Sequence, residues 1–155
     1  MQWLLNDTTL YALPLAFILG AAVGAEREWR RKPGGLRTST LVALASAAFA
    51  DLMLSQVSPA NLGAGYGAVA TGVGFLGAGA ILKEGASVKG LATAATIWCV
   101  AAIGLLAGAG EVVGAVLLTV IVLAVNTVLR PVSRLIRRRR PAAARDELEE
   151  SPAEH

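Results

Sequence analysis

The sequence predicts an all-α fold, a polytopic membrane helix bundle with five transmembrane helices. The composition is the first reason: 16% of the 155 residues are charged and 55% are hydrophobic, whereas a soluble domain has about 25% charged residues. The second reason is that the charges stand in short islands between long apolar windows, which is typical of a polytopic membrane protein. The third reason is that every Lys and Arg falls on one side of a five-span layout.

Five apolar windows have the length of a membrane-spanning helix. They cover residues 10–25, 36–54, 62–82, 91–109 and 112–129. Such windows match the roughly 20 residues that a helix needs to cross a hydrocarbon core of about 30 Å. Lipid offers no hydrogen-bond partner for backbone groups, so each window should be helical.

The fourteen Lys and Arg residues predict the orientation. Five lie between the first and second windows, two between the third and fourth, and seven after the fifth. The positive-inside rule therefore places the N-terminus outside and the C-terminus in the cytoplasm. Because topology explains these basic residues, the basic balance does not indicate nucleic-acid binding.

Two regions follow from this layout. Residues 1–135 form the five-span membrane domain, and residues 136–155 form a tail that is basic and then acidic. The tail is rich in proline and acid, with few large apolar residues, so we expect it to be disordered in the cytoplasm.

The second and fourth windows open with a similar motif, Gly-Leu-x-Thr, at Gly35–Thr38 and Gly90–Thr93. Each motif follows a Gly/Ala-rich window that ends near a carboxylate, Glu26 or Glu84. This echo suggests a weak parallel repeat, as in transporter folds, although Gly-rich membrane segments also resemble one another by chance. The hydroxyls of Thr38 and Thr93 could cap the two helix starts.

The third window is unusually rich in glycine and includes Gly74, Gly77 and Gly79. Small residues let membrane helices approach closely, so this helix should lie centrally, and Leu at these three positions should disrupt packing. The alternative is a locally unwound stretch at 72–79.

The charged residues at or near the predicted span ends suggest two kinds of site. Asp51 is the most interior ionisable residue; it is either a cation or proton site or a hydrated interfacial group. At the cytoplasmic edge, Glu26, Arg37 and Glu84 could form a buried ionic cluster, in which Arg37 grips Glu84 while Glu26 competes. The alternative there is a gated cation path. On this hypothesis Arg37→Ala should be severe.

Three sequence blocks carry a resemblance to a known family: "ERE…GGLRTSTLVALASAA", "GVGFLGAGAILKEG" and "VKGLATAATIWCVAAIGLLAGAG". Together they closely resemble the MgtC/SapB family over about residues 10–125. Longer members carry a soluble domain after the fifth span, and a charged tail is expected here instead. The positions that match the family blocks or lie within them include Glu26, Arg27, Gly35, Arg37, Thr38, Asp51, Gly74, Gly77, Gly79, Glu84, Gly90, Thr93 and Trp98.

The resemblance implies a multi-pass protein of the bacterial inner membrane that is linked to magnesium limitation and, in some members, to virulence. It also implies partners among other membrane proteins, such as ATP synthase or transporters, besides the lipid bilayer; a homo-oligomer stays open. No long loop or phosphate-binding motif is present for a pump, so we expect neither an enzyme nor a cofactor. The leading hypothesis is a modulator of other membrane proteins in magnesium or ion homeostasis or stress adaptation. The alternative is a small Mg²⁺ or proton channel or transporter that uses Asp51, Glu26 and Glu84 as its metal or proton ligands.

Overall fold

The computed structural model describes residues 7–85 and 87–129, and its main elements are five α-helices. They are α1 Asp7–Trp29, α2 Leu36–Gln56, α3 Leu62–Gly79, α4 Leu91–Gly108 and α5 Val112–Ala124. A short 3₁₀ turn, Pro59–Asn61, precedes α3, and a π-helical turn, Val125–Leu129, follows α5. The all-α prediction with five helices is thus confirmed.

The chain divides into two units, Met1–Leu123 and Ala124–His155. In the first unit lie α1 to α4 and all but the last residue of α5. Of the second unit, only residues 124–129 are described. The predicted tail at 136–155 lies outside the described residues.

Four of the helical segments are long and apolar enough to cross a membrane. They are Thr9–Trp29, Leu36–Gln56, Leu91–Gly108 and Val112–Leu129. The third helix, α3, is not among these four, and its seven glycines lower its mean hydropathy. The protein is therefore a membrane protein, and the crossing of α3 stays a prediction.

The third predicted window, 62–82, ends three residues too late. Helix α3 stops at Gly79, and the chain then forms a small antiparallel hairpin of β1 Leu82–Glu84 and β2 Ser87–Lys89. Gly85 has φ +59° at the turn, a conformation that glycine adopts without a Cβ clash. The short charged segment therefore makes a hairpin, which the apolar window did not indicate.

The two Gly-Leu-x-Thr motifs do mark helix starts. Helices α2 and α4 begin at the Leu of each motif, with Gly35 and Gly90 as the N-cap residues. Neither N-cap glycine can offer a side chain, and Thr38 and Thr93 make no capping hydrogen bond. The prediction that these hydroxyls cap the helices is wrong.

Helix α2 is the centre of the described bundle, with α1 and α4 against it, while α3 leans mainly on α4. The buried face of α2 is made of small side chains, including Ser39, Ala43, Ser46 and Ala47. Small residues let the neighbouring backbones come close, which is how membrane helices gain packing contacts. The prediction that the glycine-rich third helix lies centrally is therefore wrong.

Glycines at four-residue spacing, on α1 and on α4, make the close contacts with α2. A Cβ at Gly20 would lie 2.6 Å from Ala43 Cβ, and one at Gly24 would lie 2.7 Å from Leu36 Cα. On α4, a Cβ at Gly104 or Gly108 would lie 2.2 Å from a backbone oxygen of α2. Any side chain at these positions would push two helices apart.

The glycines singled out on α3 behave differently. A Cβ at Gly74 or Gly79 would have no described atom within 4 Å, and one at Gly77 would meet Ala94 Cβ at an ordinary 3.5 Å. The expected close packing is therefore wrong for Gly74 and Gly79, and only Gly77 faces another helix. The alternative of an unwound stretch at 72–79 is also wrong, because α3 is helical throughout.

Both basic loops of the described chain lie at one end of the bundle. A hydrogen bond from Arg27, near the end of α1, to Thr93, near the start of α4, brings the two loops together. At the opposite end, Thr9 of α1 bonds to Asp51 of α2. The two basic loops thus lie on the same side of the bundle, as the positive-inside rule expects. Which side of the membrane this is stays a prediction.

We expect Ser58→Cys and Ser87→Cys, each in a Cys99→Ala background, to be labelled from opposite sides of the membrane. Ser58 lies in the loop between α2 and α3, Ser87 lies in the hairpin, and both are exposed. A membrane-impermeant maleimide added to intact cells should modify the cysteine at 58 and leave the one at 87 unmodified until the cells are opened. Equal labelling of both in intact cells would contradict the crossing of α3.

Candidate functional site

After the end of α1 the chain turns back and places two backbone carbonyls next to the Arg27 side chain. The amide of Arg31 donates to Glu28 O at 2.9 Å, and that of Lys32 donates to Arg27 O at 3.0 Å. Gly34 then takes φ +69°, in the left-handed region that glycine tolerates. The carbonyls of Pro33 and Gly34 are thereby turned toward the Arg27 side chain.

Arg27 is a buried cation, with 4% of its surface exposed. Its Nε donates to Gly34 O at 2.9 Å and to Pro33 O at 3.1 Å. Its Nη1 donates to Thr96 Oγ1 at 3.1 Å, and its Nη2 donates to Thr93 Oγ1 at 2.9 Å and also to Pro33 O. Each nitrogen of the guanidinium therefore has an acceptor.

The acceptors are themselves oriented by further bonds. Thr96 donates its hydroxyl proton to Ala92 O at 2.8 Å, which leaves its oxygen lone pairs for Arg27. Ser39 of α2 donates to Gly34 O at 3.1 Å, the same carbonyl that accepts from Arg27. We call Arg27, Gly34, Ser39, Thr93 and Thr96 the arginine network. It joins α1, α2 and α4 at the basic end of the bundle.

In the arginine network, neutral carbonyl and hydroxyl groups stabilise the charge of the Arg27 guanidinium. In the described chain no carboxylate lies within ion-pair distance of Arg27; the two ion pairs there are Glu26 with Arg30 and Glu84 with Lys89. A buried charge is costly unless hydrogen bonds replace its hydration. Carbonyl and hydroxyl oxygens replace it here, so the network depends on all its members.

The predicted ionic cluster of Glu26, Arg37 and Glu84 is not formed. Glu26 pairs at 2.5 Å with Arg30, four residues later and just past the end of α1, and Glu84 pairs with Lys89 across the hairpin. Arg37 is exposed on the first turn of α2. The prediction failed because each acid has a cation nearer in its own local structure.

Helical spacing explains the burial of Arg27 once the buried face of α1 is known. The buried positions of α1 include Ala12, Ala16, Leu19 and Val23, and Arg27 follows Val23 by one more helical step of four. Helical periodicity therefore puts Arg27 on the inward face.

A residue that the sequence analysis missed is Glu28, whose carboxylate accepts a hydrogen bond from the Leu36 amide at 3.2 Å at the start of α2. A carboxylate at a helix start also suits the helix dipole. Because Glu28 belongs to α1 and not to α2, no local capping motif in the sequence predicts this contact.

The two N-cap glycines have distinct roles. Gly90 has φ +92°, and a Cβ there would lie 1.9 Å from Ala80 O. A Cβ at Gly35 would lie 1.9 Å from the Glu28 carboxylate. The remaining family-block positions are surface features: Thr38 is exposed, and Trp98 of α4 is 53% exposed.

Asp51 is buried at the opposite end of the bundle, with 3% of its surface exposed. It accepts a hydrogen bond from Thr9 Oγ1 at 2.5 Å. Glu26 lies 17 residues beyond Thr9 on α1, which is about 25 Å along a helix. Asp51, Glu26 and Glu84 are therefore not brought together, and among the described residues no three acidic, His or Cys side chains are grouped to hold a metal.

The sequence comparisons match this chain to a known family. The family model described as the MgtC family matches residues 13–135, which include the described helices from the first turns of α1 onward. The chain belongs to the MgtC family. The resemblance predicted from the three sequence blocks is thus confirmed, and it covers the residues of the arginine network.

Relatives of this MgtC-family chain come from several bacteria. It is 45% identical over 139 residues to Protein MgtC of Brucella abortus, covering 88% of this chain and 57% of that protein. It is 46% identical over 123 residues to Protein MgtC of Salmonella typhimurium, covering 78% and 52%. It is also 45% identical over 139 residues to the uncharacterized protein slr0014 of Synechocystis. The chain spans just over half the length of these relatives, and no solved structure matches it.

Proposed function

We propose that this chain is a non-enzymatic protein of the bacterial inner membrane that supports magnesium or ion homeostasis by acting on other membrane proteins. The observation that carries the proposal is that four candidate polar groups are each bonded to another group of the same chain. Arg27 is bound by dipoles, Glu26 and Glu84 are each in an ion pair, and Asp51 holds Thr9. Asp51 lies at the opposite end of the bundle from the other three groups.

Two further points support the proposal. Relatives at 45–46% identity carry the name Protein MgtC, and the MgtC/SapB family resemblance implies a link to magnesium limitation. The outer faces of the helices carry many large apolar side chains, such as Phe75 at 82% exposed and Val113 at 80% exposed. Such faces contact lipid or the helices of other membrane proteins, such as transporters or ATP synthase. They are the surface through which a modulator would act.

One observation favours the alternative of a small Mg²⁺ or proton channel or transporter. Asp51 is a buried carboxylate within a membrane helix, and such groups are expensive and commonly functional. In that alternative Asp51 carries the proton or cation and Thr9 is its hydrogen-bond partner. To take part, Glu26 would have to leave its ion pair with Arg30, and Glu84 would have to leave its ion pair with Lys89.

We expect purified protein in liposomes to show no Mg²⁺ or proton flux above that of empty liposomes. Dyes for Mg²⁺ and for pH inside the vesicles measure the two fluxes, with an ion gradient and a potassium diffusion potential applied. Asp51→Asn, which keeps the side-chain shape, is the matched variant. A flux that the wild type shows and Asp51→Asn loses would overturn the proposal in favour of the transporter.

The same variants should then be expressed in a bacterium that lacks its own family member and grows poorly at low magnesium. We expect the wild-type chain to restore growth without any change in liposome flux. Failure to restore growth by a chain that reaches the membrane would contradict the role in homeostasis.

A further inference from the structure

An apolar cleft lies between α2 and α3, with a volume of about 460 Å³. This volume is within the range of about 300–1,000 Å³ that is usual for ligand pockets. Of the described residues that line it, Ser46 alone carries a hydroxyl and none is charged. The lining is Leu41, Val42, Ala45, Ser46, Phe49, Met53, Ala68, Val69, Gly72, Val73 and Leu76.

The shape of the cleft follows from how α2 and α3 meet. A Cβ at Gly65 would lie 2.6 Å from Met53 Sδ, so the helices touch near the loop that joins them. From Met53 to Leu41 the α2 wall then runs 12 residues, which is about 18 Å. One leaflet of a bilayer is about half of the 30 Å hydrocarbon core, so the cleft has the length of one extended acyl chain.

Arg37 stands at the far end of the cleft. It precedes Leu41 by four residues, which places it one turn nearer the basic end on the same face of α2. It is exposed and has no ion pair with another described residue. A guanidinium offers a fork of donors that suits a phosphate oxygen pair. A cation therefore lies where the headgroup of a lipid in the cleft would be.

We propose that the cleft between α2 and α3 binds one anionic phospholipid, with an acyl chain along α2 and the phosphate on Arg37. An apolar wall with a single cation at one end matches the charge pattern of such a lipid. The cytoplasmic leaflet, where the predicted orientation places Arg37, is also the leaflet that offers anionic headgroups to basic residues. The site is distinct from the arginine network, whose cation is fully occupied.

Two glycines of α3 provide a matched pair for the test. Gly72 lines the cleft, whereas Gly74 does not, and a Cβ at either position meets no described atom within 4 Å. Gly72→Leu should therefore fill the cleft, and Gly74→Leu should add the same side chain elsewhere. Ala45→Leu fills the cleft from the α2 wall and replaces Gly72→Leu if that variant does not fold.

The experiment is native mass spectrometry of the purified chain with phosphatidylglycerol or phosphatidylcholine of identical chains. We expect one retained phosphatidylglycerol in the wild type and in Gly74→Leu, and none in Gly72→Leu. Arg37→Gln should weaken phosphatidylglycerol binding about tenfold, the loss of a charge-assisted hydrogen bond. It should weaken phosphatidylcholine binding less, because the choline cation of that headgroup already lies beside its phosphate. The control variant Lys32→Gln, which removes an exposed cation that is not on α2, should bind as the wild type does.

Three results would overturn the proposal. The first is equal lipid retention by Gly72→Leu, Ala45→Leu and Gly74→Leu, with melting temperatures and helix content showing that they fold. The second is an equal effect of Arg37→Gln and Lys32→Gln, or displacement of the lipid by inorganic phosphate alone. The third is a wild-type dimer that Gly72→Leu converts to a monomer without any lipid bound, since a second copy of the chain would then fill the cleft.

Discussion

Replacing Arg27 with Ala should destabilise the protein by about 3–5 kcal/mol, the largest effect that we expect from any single side chain here. The substitution removes the Arg27 donor from the carbonyls of Pro33 and Gly34 and from the buried hydroxyls of Thr93 and Thr96, and it leaves Gly34 O with only its bond from Ser39. The end of α1 and the start of α4 also lose the hydrogen bonds between them. The free energy of unfolding in mixed micelles titrated with dodecyl sulfate measures the loss.

Arg37→Ala is the matched control. It removes an arginine that lies at the same end of the bundle but is exposed and has no ion pair with another described residue. In micelles without anionic lipid we expect it to change the free energy by about 0–1 kcal/mol, as for exposed charges. Arg27→Lys should fall between the two, since a point charge cannot reach acceptors on both sides as a planar fork can. Equal stability of Arg27→Ala and Arg37→Ala would show that the arginine network does not stabilise the fold.

The second largest effect should come from Gly104→Ala, which adds one methyl group between α4 and α2. Its Cβ would lie 2.2 Å from Ala43 O and 2.8 Å from Ser46 Cβ, and a backbone oxygen cannot move alone. The helices must separate along the contact, so we expect a loss of about 1–3 kcal/mol, as for overpacked cores. The same unfolding titration measures it.

Gly74→Ala is the control for this prediction. Its Cβ meets no described atom within 4 Å, so it should gain up to about 1 kcal/mol from helix propensity. The double variant Gly104→Ala/Gly108→Ala should lose less than the sum of the single losses, because one shift of α4 relieves both contacts. Gly104→Ala as stable as Gly74→Ala would contradict the packing of α4 on α2.

The sequence alone predicted the number of helices, the first residue of four of them, the start of α1 to within three residues, and the one-sided distribution of basic loops. These features depend on local signals: apolar windows long enough to span a bilayer, Gly-Leu motifs before helices, and charges in the connections. The family followed from the same blocks of residues. The hairpin at Leu82–Lys89 was not visible because its few residues carry no strong strand alternation.

The tertiary structure was needed to tell which arginine is buried and which glycines contact a neighbouring helix. Arg27 and Arg37 stand at similar distances from a helix end, and the choice of Arg27 depends on the face of α1 that meets α4. The glycines at 20, 24, 104 and 108 look no different in sequence from those of α3. Lipid is as apolar as a neighbouring helix, so hydrophobicity in a membrane does not tell the packed face from the lipid-facing one. That distinction exists only once the helices are placed side by side.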